Sequence, residues 1–101
     1  MQVNVTKDGN RVVILLSGRF DFNTHREFRS AVEPLVTDVG VAVVTIDFSG
    51  VEYLDSSALG MLLMLRDKAK TSGKTVCLAN AKGSVRQVLD IANFGKLFPI
   101  V

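Results

Sequence analysis

Hydrophobic positions along the chain follow two periods. Val3 and Val5 alternate with polar neighbours, which is the two-residue period of a short edge strand. Asp8-Gly9-Asn10 is turn chemistry, and the run after it, Arg11 to Ser17 (RVVILLS), is β-branched and almost wholly apolar. The two runs predict a hairpin whose second strand is buried on both faces. Gly18 to Asn23 breaks the pattern and reads as a loop. Thr24 then opens a helix, because Thr24 and Glu27 stand at capping-box spacing. Phe28, Ala31, Val32, Leu35 and Val36 fall at i, i+3, i+4, i+7 and i+8, a single apolar stripe for packing on a sheet. Pro34 lies within that stripe, lacks a donor and crowds the preceding turn, which predicts a kink or an early frayed end.

Val41 to Phe48 (VAVVTIDF) reads as the next buried strand, and Ser49 to Leu54 as a loop. Asp55 or Ser56 can cap a helix from about Ser57 to Ser72. Its first half, Ala58 to Leu65, is apolar almost all round and is expected to be sandwiched. Its second half, from Arg66, is mostly polar and should reach solvent, with Gly73 as the stop. Thr75 to Ala79 (TVCLA) is a further buried strand. Ser84 to Gln87 repeats the capping-box spacing, and Val85, Val88, Leu89 and Ala92 give one helical face ended by Gly95. Phe98 to Val101 is a short apolar tail with the character of an edge strand. The order is β-β-α-β-α-β-α. Strands separated by helices favour right-handed βαβ units, so the expected fold is a small α/β domain spanning residues 1–101. Its mixed sheet would have four or five strands, the first antiparallel to the second.

Composition narrows the function classes. Hydrophobic residues make up 48% and charged residues 22% of the 101 residues, enough for one core and unlike a disordered chain. The net charge of +2 lacks the basic excess of a domain that grips phosphate backbone, so no direct nucleic-acid partner is expected. With one cysteine, Cys77, there is no internal disulfide, which points to a reducing compartment and a cytoplasmic location. Cys77 itself reads as inert core. Met1 to Asn10 lacks the apolar stretch of a signal peptide, and no run of 18 apolar residues exists, so no membrane insertion is expected. No metal-ligand spacing or cofactor motif is present; Gly18 and Gly83 match neither GxGxxG nor the P-loop and read as turn glycines. His25, the single histidine, is the only candidate base for a hydrolase triad; it reads instead as a helix-surface residue in an interface.

Chemistry concentrates at Tyr53-Leu54-Asp55-Ser56-Ser57-Ala58-Leu59-Gly60, which follows a buried strand and opens an apolar helix. Loops at the C-terminal ends of parallel strands are where such folds place function. The Gly18-to-Thr24 loop should open on the same sheet edge, giving one surface with Asp21, Asn23, Thr24, Asp55, Ser56 and Ser57. A helix N-terminus favours an anion through its free amides and dipole. A phosphoryl group on Ser56 would add roughly −1.5 to −2 charges. The helix start tolerates that charge, while Asp21, Asp55 and a docked partner oppose it. The plainer reading is that Asp-Ser-Ser caps the helix, and the two are compatible, with Asp55 capping and Ser56 modified. Met61 and Met64 belong to the apolar helix half and default to core; Met64 or Leu54, if exposed, would be a candidate partner contact.

At these residues the sequence resembles the STAS domain, and within it the bacterial anti-sigma factor antagonists. The marks are Asp55-Ser56-Ser57-Ala58-Leu59-Gly60 after VVTIDFSG, Gly18-Arg19-Phe20-Asp21 with Thr24 three residues on, and Val85 to Gly95 followed by Lys96-Leu97-Phe98. The resemblance implies a small STAS-like fold and a non-enzymatic switch. The unmodified antagonist would bind an anti-sigma factor that is also a serine kinase with an ATP-binding fold. Phosphorylation of Ser56 would release it, and a PP2C-type phosphatase would restore it. By motif position Asp21 and Asp55 are the aspartates beside the acceptor, and Ser57 is the second motif serine. The expected docking residues are Asp21, Asn23, Thr24, Asp55, Ser56, Ser57, Gly60 and Met64. Ala58 stands where many relatives have Gly, expected to be a harmless change in a helix, and no contact through the terminal helix of some relatives is expected from the residues up to Val101. Two other classes compete. One is a constitutive STAS scaffold subunit bound to a transporter ATPase or sensory complex, which a pull-down would separate. The other is a small enzyme or nucleotide-binding module, which calorimetry with ATP and GTP would reveal.

Overall fold

A computed structural model describes residues 1–101. Its elements are β1 (Gln2–Asp8), β2 (Arg11–Phe20), α1 (His25–Thr37), β3 (Val43–Leu54), α2 (Ser56–Thr71), β4 (Thr75–Ala79) and α3 (Gly83–Ile91), with short 3-10 turns at Phe22–Thr24 and Phe94–Lys96. The expected β-β-α-β-α-β-α order is present. The sheet order is β1-β2-β3-β4; β1 is antiparallel to β2, and the other pairs are parallel. The hairpin closes with Asp8 opposite Arg11, and Gly9 takes the left-handed conformation (φ 62°) that the tight turn needs. The tail approaches a fifth strand. Ile100 bridges in parallel to Leu78, and the Leu78 amide donates to the Pro99 carbonyl at 2.9 Å.

Both parallel crossovers, β2-α1-β3 and β3-α2-β4, step the same way across the sheet. Right-handed connections therefore place α1 and α2 on the same face, where they touch each other. This corrects the expectation of strands buried on both faces. Along β2, Val12, Ile14 and Leu16 are fully buried, whereas Val13 and Leu15 between them are 38% and 39% exposed. Along β3, Val44, Ile46 and Phe48 face the core. Cys77 is half-buried rather than core, because in β4 it alternates with buried Val76 and Leu78.

Other differences concern boundaries. Gly18 to Phe20 belongs to β2 and Ser49 to Leu54 to β3, where loops were expected. The ladder continues through two register shifts, after Leu15 and after Gly18. At the first, Gly50 opposes Ser17 so closely that a Cβ on it would meet the Ser17 Cβ at 2.8 Å and the Leu16 carbonyl at 3.0 Å. Helix α1 runs through Pro34 to Thr37; the proline occupies the last turn on the exposed side, and the Thr37 hydroxyl donates to the Pro34 carbonyl. The capping box expected at Ser84 is absent. Helix α3 starts at Gly83 after Lys82, with no side-chain cap. It ends at Ile91 rather than Gly95, because the left-handed Asn93 (φ 59°) turns the chain into the Phe94–Lys96 3-10 turn.

The core gathers β2, β3, all three helices and the tail into one cluster, with Phe20, Phe28, Phe48 and Phe98 among its largest buried side chains. At one edge Asp47 ties β3 to the β4–α3 turn. Its Oδ1 accepts from the Ser49 amide at 2.8 Å and its Oδ2 from Asn80 Nδ2 at 2.9 Å. Burial works to raise the Asp47 pKa, but the Ser49 and Asn80 hydrogen bonds and the charge of Lys82 outweigh it and hold the carboxyl below its usual range.

Candidate functional site

Strands β2 and β3 end side by side, with Phe20 opposite Leu54. The next residues of each chain segment therefore emerge at one sheet edge, and these are Asp21 and Asp55. Two hydrogen bonds join them. The Asp55 amide donates to the Phe20 carbonyl at 3.3 Å, and the Phe22 amide donates to Asp55 Oδ2 at 3.4 Å. Asp21 thus sits between the two residues bonded to Asp55, and the expected single surface forms.

Asp55 is the N-cap of α2. Its extended backbone (φ −110°, ψ 179°) lets Oδ1 accept from the Ala58 amide at 3.0 Å. One carboxylate so caps the helix with one oxygen and holds the neighbouring loop with the other. The helix starts at Ser56, one residue earlier than expected. Ser56 is exposed at the first helical position, and Ser57 behind it is half-buried. The Ala58 and Leu59 amides bond to the Asp55 side chain and carbonyl. The amides of Ser56 and Ser57 are the remaining first-turn donors, which an α-helix cannot satisfy internally.

The loop at Asp21 is capped differently from the expected Thr24–Glu27 box. Asp21 Oδ1 accepts from the Asn23 amide at 3.0 Å. The Thr24 hydroxyl accepts from the Asp21 amide at 3.1 Å and donates to the Asp21 carbonyl at 2.9 Å. The capping box therefore lies one 3-10 turn earlier, and Thr24 itself makes no side-chain cap for α1. Thr24 is buried, so its hydroxyl shapes the loop from within, whereas Asn23 is exposed. Gly60 and Met64 follow Ser56 on α2 at one and two turns, both exposed, Met64 by 51%. This corrects the expected sandwiched half of α2, where only Ala58, Leu62 and Leu65 are buried. The segment is not enclosed all round, because α1 covers one flank and the sheet another while the rest faces solvent.

Arg19, Tyr53 and Phe22 of this surface were not read as contact residues from sequence, and His25, expected at an interface, joins them. Arg19 lies with its guanidinium carbon 4.1 Å from the Tyr53 ring centroid and its Nε 3.6 Å from Asp21 Oδ2. Tyr53 is 41% exposed and Phe22 66% exposed. His25 Nδ1 donates to the Phe22 carbonyl at 2.8 Å, and the two rings lie 5.3 Å apart. The available signal was an aromatic on each side of the motif aspartates, Phe22 after Asp21 and Tyr53 before Asp55. No group of three or more His, Cys, Asp or Glu is arranged to hold a metal ion, and no helix is long and apolar enough to cross a membrane. The arrangement presents a hydroxyl at a helix start, two fixed carboxylates and exposed aromatic area, which is the chemistry of a docking surface.

Comparison with known proteins gives the family and the fold. A family model described as "Mlab, STAS domain" matches residues 3–100. A STAS-domain containing protein of Pseudomonas aeruginosa is 46% identical over 93 residues, covering 92% of this chain and 90% of that protein. An anti-sigma F factor antagonist of Lysinibacillus sphaericus is 26% identical over 85 residues, covering 83% of this chain and 72% of the relative. The solved structure of the anti-sigma factor antagonist SpoIIAA in its unphosphorylated form superposes with a TM-score of 0.84 at 20% identity, covering 99% of this chain and 88% of that one, and it shows the fold.

Proposed function

The chain belongs to the STAS-domain family, and from that premise we propose that it is an anti-sigma factor antagonist that works by partner switching. The reading rests chiefly on one observation. Ser56 is exposed at the first position of α2, directly after an aspartate that caps that helix and pins the neighbouring loop. In this reading the unmodified surface around Asp21, Asn23, Asp55, Ser56, Ser57, Gly60 and Met64 binds an anti-sigma factor that is also a serine kinase with an ATP-binding fold. Thr24 supports that surface from beneath.

Phosphorylation of Ser56 places roughly two negative charges at the helix start. The free first-turn amides and the helix dipole receive them, so the fold persists. The same charge meets Asp21, Asp55 and the docked partner, so binding is lost. A PP2C-type phosphatase resets the surface. The protein acts in the cytoplasm as a binding partner rather than an enzyme. The similarity of the Lysinibacillus antagonist supports the role.

The test is a cross-linked pull-down from the native cells with wild type, Ser56→Ala and Ser56→Asp as baits. The expected result is a kinase of ATP-binding fold retained by wild type and Ser56→Ala and depleted with Ser56→Asp. Equal recovery with all three baits would show that charge at Ser56 is not the switch. Equal recovery of a transporter ATPase would replace the proposal with a constitutive scaffold.

A further inference from the structure

Helices α1 and α2 run side by side in the same direction, as two successive right-handed crossovers require. They do not close on each other. Between them lies a partly open groove of about 90 Å³. Its apolar lining is Phe28, Val32 and Val36 from α1 and Met61, Met64 and Leu65 from α2. Phe28, Val32, Val36 and Leu65 are buried, but Met64 is half exposed at the mouth. A groove this size admits one large aliphatic or aromatic side chain. Methionines suit such a site, because the unbranched thioether adapts its shape to an incoming side chain.

The rim carries a charge imbalance. Arg29 Nε lies 3.0 Å from Glu33 Oε1, and Lys68 Nζ approaches the same oxygen at 3.9 Å. One carboxylate thus serves two permanent cations, one from each helix, and the rim keeps a positive excess over an apolar floor. The groove begins at His25, which bonds to exposed Phe22, so its apolar area continues towards the α2 start.

We propose that this groove is a docking site for an acidic amphipathic helix of a partner protein. The helix would insert one large apolar side chain between Met61, Met64 and Val32 and set a flanking carboxylate against Lys68 and Arg29. Helix-in-groove recognition pairs such an apolar anchor with complementary flanking charge. The proposal stands on the groove's own geometry and holds whether or not Ser56 is modified.

The test selects binders from a displayed library of 14-residue helical peptides against the full-length protein, with counter-selection on Met64→Glu. Met64 is exposed enough for that substitution to leave the fold intact, which the amide NMR spectrum checks. The expected winners carry one Leu, Met or Phe anchor with Asp or Glu beside it. They should shift the amides of Val32, Met61 and Lys68, and bind Lys68→Glu at least tenfold more weakly. Basic or uncharged winners would overturn the proposal. So would winners whose shifts map to the open sheet face around Val13 and Leu15, or the absence of any winner dependent on Met64.

Discussion

Asp55 spends each carboxylate oxygen on a different task, the Ala58 amide on one side and the Phe22 amide on the other. Its neighbour Ser56 is exposed and begins the helix without capping it. The two residues therefore separate under substitution. Asp55→Ala should cost about 1–2 kcal/mol through the lost cap, with the Phe22 loop loosened as well. Ser56→Ala should stay within about 0.5 kcal/mol of wild type, as surface changes away from such features do. Urea unfolding of the two variants measures both. Comparable losses would mean that Ser56 carries structural weight, and the case for a free acceptor hydroxyl would weaken. The motif was legible in the sequence because caps are local, and Asp-Ser-Ser before an apolar run names its own helix start. The bond from Phe22 to Asp55 was not, since it spans 33 residues and depends on where two strands end.

At the scale of elements, α2 serves two surfaces at once. Leu62 is fully buried and Met64, two residues on, is half exposed. Leu62→Ala should cost about 2–5 kcal/mol, while Met64→Ala should leave stability nearly unchanged and act on partner binding alone. Thermal unfolding together with the pull-down separates these effects. From the sequence, the almost continuous apolar run Ala58 to Leu65 implied enclosure on all sides. The single-sided sheet explains why enclosure fails: α2 has the sheet beneath and α1 beside it, and solvent elsewhere. The strand ends show a similar limit. Ser49-Gly50 and Gly18 carry turn-like composition, yet both lie inside strands at register shifts, Gly50 because two backbones approach closely there and Gly18 because its backbone takes the left-handed region (φ 97°). Periodicity located the elements, but it could not distinguish a bulge from a loop.

For the molecule as a whole, the order of strands and helices and the right-handed hand of the crossovers were readable, but the placement of α1 and α2 on one face was not, because it depends on both crossovers stepping the same way across the sheet. The buried faces followed wherever alternation was clear. They were misjudged in β2 and β4, where β-branched and apolar residues occupy the open face as well. The fold is also held by charge at its edges. Asp38 binds the Lys7 ammonium at 3.0 Å and the Gly40 amide at 2.8 Å; the Gly40 bond, then Lys7, lowers its pKa. Asp47 is likewise held low at the β3–β4 edge. A carboxyl whose folded pKa is depressed contributes stability above its unfolded value and loses it as pH falls through the folded value. The protein should therefore lose stability below about pH 4, the ordinary aspartate range. Asp47→Asn should lower stability at neutral pH and flatten that acid-side slope. Urea midpoints between neutral and acid pH would measure it, and an unchanged slope would remove Asp47 from the account.

The central claim is that Ser56 is the point at which this surface is switched. Phosphosite mapping by mass spectrometry addresses it most directly, on the protein isolated from its own cells in growing and in stressed cultures. The account predicts a phosphoryl group on Ser56 whose occupancy changes between the two conditions. An unmodified Ser56 in every condition would contradict it and leave Asp55-Ser56-Ser57 as a helix cap at a constitutive interface.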